Sequence, residues 1–406
     1  MAQNLRTDEI ALTSVERPRG QAIEREERVL LFVVNDLDFF LSHRLPVALA
    51  AKAARYRVHV ATPSSDRATE VEALGLRHHS IPLTRKGTNP LTELRSLMAL
   101  LRLLRRLKPE LVHLITIKPI LYGGIAARLA GVPRSVSALC GLGYVFTAQG
   151  TLARLRRRAV CAGYRIALAG RRRVALFQNP DDRSTLLDAG ILPPSRTRLI
   201  RGSGVDPSVY TVGPRPTGTP IVLIACRLLR EKGVPEFIKA ARVLRSRGNQ
   251  ARFVVVGSPD HGNPTSMTEA ELAAAQDEGV IEWWGRRTDM HAVLNKATIV
   301  CLPSSYGEGV PKVLIEAASC GRALVSSDVA GCREIVKDRQ NGLLVPPGDV
   351  ERLASAIAEL LGDPERCWHL GAAGRRFVQR EFSLDSVVSR TLALYEELFS
   401  DDPVTT

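Results

Sequence analysis

One rhythm runs through this sequence twice, and few folds can satisfy it. Short Val/Ile/Leu-rich runs at Val29–Asn35, Val58–Thr62, Leu111–Ile115, Ser135–Leu139 and Val174–Gln178 alternate with amphipathic stretches at Pro46–Ala54, Leu91–Leu107, Tyr122–Leu129 and Leu152–Ala169. The pattern halts at Pro207–Pro220, where PSVYTVGPRPTGTP holds four prolines and two glycines. It then restarts, with apolar runs at Ile221–Cys226, Phe253–Val256, Ile299–Leu302 and Ala323–Ser326 and helical patterns at Val234–Arg247, Val310–Ser319 and Val350–Leu361. Strands apolar on both faces need cover on both faces, which helices in a parallel sheet provide. The expectation is an α/β chain of two doubly wound, Rossmann-like domains, residues 28–205 and 221–382. A hinge at 206–220 joins them, and a helix within 383–400 returns to brace the first. The tail, residues 1–27, is polar and expected to be disordered. In such sheets ligands sit at the carboxyl ends of the strands, here in the cleft between domains.

Size and composition agree with two ordinary cores. The chain has 406 residues, 45% hydrophobic and 24% charged, too apolar for disorder and too long for one small domain. Its longest apolar runs break at Asn35 and Arg227, well short of the roughly 20 residues that span a bilayer. Residues 1–27 carry charges of both signs and no apolar core, so no signal peptide is read there. Seven cysteines are scattered without a CxxC pair, which reads as reduced thiols of a cytosolic protein. The net charge of +14 is concentrated in residues 28–205, at about +19 by count. Its densest parts are Leu94–Lys108 and Arg154–Arg173. Such a surface suits an anionic membrane face or an anionic substrate; without interleaved aromatics it does not read as a nucleic-acid site.

The chemistry concentrates in the second half. In Tyr306–Gly321 (YGEGVPKVLIEAASCG) a strand enters a loop with Gly307 and Gly309 and opens a helix at Val310-Pro311, where proline suits the first turn. The free N–H groups at such a helix start form an anion site fit for a diphosphate. Glu308 stands in the loop and Glu316 about two turns along, placed to hold sugar and ribose hydroxyls. Upstream, Arg227 and Lys232 follow the first strand of the second half, where two cations can neutralise a leaving diphosphate. Asp36-Leu37-Asp38 is a DxD string of the kind that holds a divalent cation, but the cationic pair at Arg227 and Lys232 makes a metal unnecessary, and none is expected. No GxGxxG follows the first strand of either half, which argues against a dinucleotide dehydrogenase.

Glu308-x7-Glu316, the Arg227…Lys232 pair and Ala330–Asp349 (AGCREIV…NGLLVPPGD) together resemble the retaining glycosyltransferases of family 4, which have the GT-B fold. The resemblance runs from about residue 28 to 400. It implies that Arg227 and Lys232 bind the donor diphosphate, that Glu308 contacts the donor sugar and that Glu316 holds the ribose. Gly309, Val310 and Lys312 would offer backbone N–H groups, and Trp284 and Arg286, in Trp283–Arg286, would line the base pocket. In the first half, Val34–Arg44, Thr116–Gly124, Cys140–Phe146, Phe177–Arg183 and Arg201–Asp206 are similar to the subgroup that assembles capsule, O-antigen and N-glycan precursors. That subgroup includes enzymes that add N-acetylgalactosamine to an undecaprenyl-diphosphate-linked bacillosamine. By this resemblance His43, Lys118 and the Gly141–Gly143 loop face the acceptor. Many members carry a histidine where this chain has Cys140, whose thiol cannot match an imidazole hydrogen bond.

The expected function is therefore metal-independent, retaining transfer of a hexose or N-acetylhexosamine. The donor is a nucleotide-diphosphate sugar, UDP-linked in preference, and the acceptor a polyprenyl-diphosphate-linked saccharide. The expected location is cytoplasmic, peripheral on the inner membrane. A nucleotide-sugar epimerase or phosphorylase on the same fold, or a non-catalytic membrane-surface binder, stands as the alternative. Residue by residue, plainer roles also remain open: core packing for the tryptophans, a capping or core histidine at 43, solvated pairs for the charges.

Overall fold

β1 (Arg28–Val34) is apolar along nearly its whole length and lies at the heart of the first sheet. The computed structural model describes residues 27–83, 89–142, 146, 150–260 and 262–400. β1 pairs in parallel with β2 (Tyr56–Thr62) on one side and β4 (Leu111–Ile115) on the other. With β3 (Arg77–Ser80), β5 (Arg134–Leu139), β6 (Arg173–Phe177) and β7 (Thr197–Leu199) the order is β3-β2-β1-β4-β5-β6-β7. The second sheet repeats the scheme. β8 (Ile221–Ala225), β9 (Arg252–Val256), β10 (Glu282–Trp283), β11 (Ile299–Leu302), β12 (Ala323–Ser327) and β13 (Leu343–Val345) run in the order β10-β9-β8-β11-β12-β13. Every pairing is parallel, and each sheet has an apolar core on both faces. This is the GT-B arrangement of two Rossmann-like sheets.

The differences from the sequence reading have local causes. β3 is RHHS, too polar to read as a strand, and β7, β10 and β13 have three residues or fewer. The stretch expected to be one helix at Pro46–Ala54 is preceded by another, Leu37–His43, because the Asp36 side chain accepts from Phe39 N–H and caps it. The helix expected from Tyr122 opens instead as a π-helical turn, Pro119–Gly123, ahead of Gly124–Leu129. The helix after β11 starts at Lys312, with Pro311 as its extended N-cap and not inside its first turn.

The chain crosses between the halves twice, and the crossings are bonded to each other. Val205 N–H donates to Phe382 O, and Leu384 N–H donates to Val205 O. The final helix, Leu384–Ser400, packs on the first sheet. There Tyr395 OH meets His113 Nδ1 at 2.5 Å, Arg134 donates to Leu398 O, and the Phe399 ring lies under the Arg28 and Arg134 guanidinium groups. Among the described residues no helix is long and apolar enough to cross a membrane. All seven cysteines are unpaired, five of them buried.

At the edge of the first sheet His59 stacks on His79, with ring centroids 5.0 Å apart and Nδ1···Nε2 at 2.7 Å. Burial, with His79, Arg77 and Arg57 nearby, lowers the His59 pKa to about 4. The unfolded chain binds that proton near the ordinary value of 6.5. The pair's contribution to stability is thus complete above pH 6.5 and is lost as pH falls toward 4. We expect the thermal unfolding midpoint to decline across that window. His59→Phe, which keeps a ring on His79 and removes a titrating group, should make the decline shallower; equal slopes would contradict this account.

Candidate functional site

Each sheet reverses its winding direction once, between β1 and β4 and between β8 and β11. A crevice opens outside the strand ends at such a point. The loops leaving these strands and their neighbours meet across the interdomain space. Asp36–His43 after β1, Cys226 and Arg227 after β8, Gly257–Asp260 after β9, and Arg286, Val313 and Glu316 line one cavity of about 700 Å³. Thr116–Lys118 after β4, Cys140 and Gly141 after β5, and Tyr306–Gly309 after β11 line an adjoining one of about 350 Å³.

Lys232 and Glu308 form the strongest electrostatic feature of the site. The Lys232 Nζ lies 2.6 and 2.7 Å from the two Glu308 carboxylate oxygens, and the side chains are only 13% and 9% exposed. Ser304 Oγ donates to the same carboxylate at 2.7 Å, and the Tyr306 ring centroid lies 5.5 Å from Nζ. Burial by itself would lower the lysine pKa; the Glu308 carboxylate and Tyr306 outweigh it and hold the pKa above the ordinary value. Lys312 Nζ pairs with Glu316 at 3.0 Å, one turn along the same helix. Arg227 reaches Asp260 at 3.3 Å from the wall of the larger cavity.

Of the residues singled out in the sequence, His43, Arg227, Arg286 and Glu316 line the larger cavity, and Lys118, Gly141, Glu308 and Gly309 the smaller one. Lys232 and Lys312 join them through Glu308 and Glu316. His43 and Lys118, grouped together in the sequence reading, thus fall in different cavities. His43 stacks on Phe39 and meets Ser42 Oγ at 2.7 Å. Desolvation, then Lys312 and Arg44, lower its pKa to about 3, so the imidazole is neutral near pH 7. Lys118 is held by Glu93 at 2.6 Å. Trp284 lines neither cavity: it borders a separate pocket with Pro214, Arg252 and Lys296, and its N–H donates to Glu282. Glu316 sits at the fifth residue of its helix, just past one turn where two were expected. Val310 N–H donates to Gln178 Oε1 at 3.1 Å. Gly143 and residues 1–26 lie outside the described residues.

The halves meet backbone to backbone. A Cβ on Gly309 would stand 2.5 Å from Gln178 Oε1 and 2.8 Å from the Cys140 carbonyl, and one on Gly141 would stand 2.9 Å from Gly309 N. Asn179 Nδ2 donates to Gly309 O at 3.2 Å. Around this seam Arg333 reaches Asp181 at 3.0 Å. Asp38 takes Arg67 from its own half at 2.7 Å and Arg286 from the other at 3.0 Å. Burial would raise the Asp38 pKa, but the two guanidinium groups hold it below the usual carboxylate range. The DxD aspartates therefore serve as a helix cap and an interdomain ion pair. Among the described residues no group of three or more His, Cys, Asp or Glu side chains could hold a metal ion.

Several contributors carry little signal in the chain itself. Ser304 reads as turn chemistry, yet it is buried on the Glu308 carboxylate. Gln178 and Asn179 stand in an informative stretch, but only the assembled seam shows their partners. Tyr210, from the proline-rich segment, has its pKa raised by burial and by Glu316. Cys140 accepts from Arg44 at 3.3 Å, so the thiol that replaces the expected imidazole is engaged from within its own half.

Breaking one side of a buried ion pair leaves an uncompensated charge, at a cost of about 3–5 kcal/mol. Lys232→Met should destabilise the protein by that order in urea unfolding. Lys232→Met combined with Glu308→Gln should recover much of it. Additive losses in the double variant would mean that the two groups are not coupled.

Comparison with known proteins agrees with this architecture. Residues 28–179 match the family model "Glycosyl transferase 4-like", and residues 211–377 match "Glycosyl transferases group 1". The chain is 27% identical over 384 residues, covering 89% of its length and 99% of the relative, to the N,N'-diacetylbacillosaminyl-diphospho-undecaprenol alpha-1,3-N-acetylgalactosaminyltransferase of Campylobacter jejuni. Among solved structures, sucrose-phosphate synthase from Thermosynechococcus elongatus superposes with a TM-score of 0.76 at 20% identity, over 93% of this chain and 100% of that one. Anabaena Alr3699/HepE, in complex with UDP and glucose, superposes with a TM-score of 0.74 at 19% identity, over 91% and 100%. With both halves matched by glycosyltransferase models on a GT-B scaffold, the chain is a glycosyltransferase enzyme of the GT-B, GT4-like superfamily.

Proposed function

We propose that the protein transfers a hexose or N-acetylhexosamine, with retention of anomeric configuration, from a nucleotide-diphosphate sugar to a polyprenyl-diphosphate-linked saccharide. The observation that carries this reading is the buried Lys232–Glu308 pair, with Arg227 on the wall of the neighbouring cavity. Two cations, one buried with Glu308 and one on a cavity wall, suit a departing diphosphate. UDP is the favoured nucleotide, as in the Anabaena structure that holds UDP and glucose. The acceptor class follows the Campylobacter relative, which aligns over almost its full length.

In this reading residues 221–382 hold the donor and residues 28–205 the acceptor, with 206–220 as the hinge. Glu316 takes the ribose hydroxyls and Arg286 borders the base. Glu308 contacts the donor sugar, and the Gly309, Val310 and Lys312 backbone faces the diphosphate. Lys118 and Gly141 face the acceptor from the smaller cavity, and His43 does so from the wall of the larger one, beside Arg227 and Arg286. The bond from the sugar anomeric carbon to the phosphate oxygen breaks, its electron pair passing to the diphosphate, which Arg227 and Lys232 stabilise. The acceptor hydroxyl adds to the same face of the sugar, and its proton goes to the departing phosphate oxygen. The neutral His43 can accept or donate a hydrogen bond there without adding charge. Closure of the halves excludes water that would otherwise hydrolyse the donor.

The acceptor's lipid places the enzyme on a cytoplasmic membrane face. Supporting this, the helices Pro90–Leu107 and Thr151–Ala167 expose Leu91 (69%), Leu94 (54%) and Leu155 (63%) among arginines. Apolar side chains set in a basic surface bind anionic lipid headgroups.

Purified protein should move radiolabel from a UDP-sugar into bacterial lipid-linked glycans, equally well with and without EDTA. Lys232→Ala and Arg227→Ala should each lower kcat by about 10²–10³-fold. Turnover of the sugar nucleotide without label in the lipid fraction would point to an epimerase or phosphorylase. Loss of activity in EDTA would overturn the metal-independent step.

A further inference from the structure

Thr116 follows β4 on the wall of the smaller cavity. Its backbone has a φ of +74°, in the left-handed region that β-branched residues avoid. Among the described residues Arg55, Lys108 and Arg339 also have positive φ, but Arg55 and Lys108 close helices and Arg339 stands in a turn. Thr116 instead lies between a strand and the π-helical turn at Pro119–Gly123. A glycine would take this conformation without strain, so what the threonine adds is its side chain. The Thr116 Oγ1 is buried without a hydrogen-bond partner among the described residues. Of the side-chain atoms in that condition, it alone belongs to a residue lining either interdomain cavity. Leaving a buried hydroxyl unpaired forfeits its hydration with no bond in return, and a ligand in the cavity can supply that bond.

A second neutral group stands beside it. β1 and β4 pair through Val34 and Ile115, so Asn35 and Thr116 leave the sheet side by side, where its winding reverses. Asn35 lines the same cavity, and its side-chain amide makes no hydrogen bond among the described residues. The charges on this wall are matched from within the protein, Lys118 with Glu93 and Glu308 with Lys232. The hydrogen-bonding capacity left over is one hydroxyl and one amide. Such groups donate and accept, as sugar hydroxyls and acetamido groups do, and carry no charge to hold a phosphate.

We infer that Thr116 and Asn35 form a sugar subsite, in which the Thr116 hydroxyl and the Asn35 amide bond a hydroxyl or acetamido substituent of a saccharide ring and so set which sugar is accepted. This rests on the proposed function, which brings two sugars to the site, one carried by the donor and one ending the acceptor. Both have the chemistry that the pair recognises, and the test separates them.

Thr116→Val keeps the shape of the side chain and replaces the hydroxyl by a methyl, Thr116→Ser keeps the hydroxyl, and Asn35→Ala removes the amide. UDP, which carries no sugar, is titrated calorimetrically into each full-length variant beside UDP-glucose, UDP-galactose and their N-acetylhexosamine counterparts. The transfer assay with bacterial lipid-linked glycans supplies KM and kcat. Affinity for a UDP-sugar lowered about tenfold in Thr116→Val and Asn35→Ala, with that for UDP unchanged, assigns the subsite to the donor sugar. Unchanged UDP-sugar binding, with the KM for the glycan raised about tenfold and kcat little altered, assigns it to the acceptor sugar. In either case Thr116→Ser should recover most of the loss. The unfolding midpoint of Thr116→Val should be no lower than that of wild type, because a buried methyl needs no partner. Equal losses of UDP and UDP-sugar binding with a lowered midpoint would show a structural role and overturn the inference. Wild-type protein that binds no UDP refutes the proposed function and the inference with it. UDP binding with no effect of Thr116→Val on any sugar or glycan refutes the inference alone.

Discussion

Backbone contact between Gly141 and Gly309 is the constraint on which the rest of the site depends. Neither position has room for a Cβ, since Cys140, Gln178 and the neighbouring peptide already fill the space. At Gly141 the backbone also has a φ of +100°, in the region that side-chain-bearing residues avoid. Because the two loops touch without side chains between them, the strand ends of both sheets approach closely enough to share walls. A larger residue on either side would separate the loop that carries Glu308 from the loops that carry Lys118 and Cys140. Asn179, bonded to Gly309 O, and Gln178, bonded to Val310 N–H, then fix the register of that contact.

The charges are arranged around this seam so that each has a local partner. Glu308 is buried with Lys232 and Ser304, Glu316 lies beside Lys312, and Asp38 sits between Arg67 and Arg286. A buried pair of this kind offers little net stability over an apolar pair of the same shape. It keeps the lysine charged and fixes the Glu308 carboxylate at the wall of the smaller cavity. Val310 N–H is occupied by Gln178 in this arrangement, so its use by a donor phosphate requires the seam to loosen. The two crossings of the chain between the halves lie together at Val205 and Ser383, where they are bonded to each other.

Much of the fold was legible because burial on both faces writes itself into the chain. The central strands β1, β4, β8 and β11 have no polar alternation, and their limits were readable to within a residue. The edge strands were not: β3 is polar, and β10 is two residues long, so pairing rather than composition defines them. The Asp36 cap that starts Leu37–His43 and the π-helical turn at Pro119–Gly123, which packs against the Thr151–Ala167 helix, leave no mark in the hydrophobic period. Trp284 was placed at the site by the family resemblance of Trp283–Arg286; in the structure Arg286 lines the larger cavity and Trp284 borders a different pocket.

The sequence by itself determined the class of fold, the two-part organisation and the identities of the charged residues after β8 and β11. Those follow from periodicity and from short-range spacing, which a chain carries locally. Only the tertiary structure decided that Lys232 meets Glu308 across 76 positions, that His43 and Lys118 fall in different cavities, and that Asp38 binds an arginine of the other half. These are contacts between segments far apart in the chain: β8 and β11 pair in parallel and bring Lys232 to Glu308, and loops at the strand ends of the two sheets bring Arg286 to Asp38, none of which local spacing encodes.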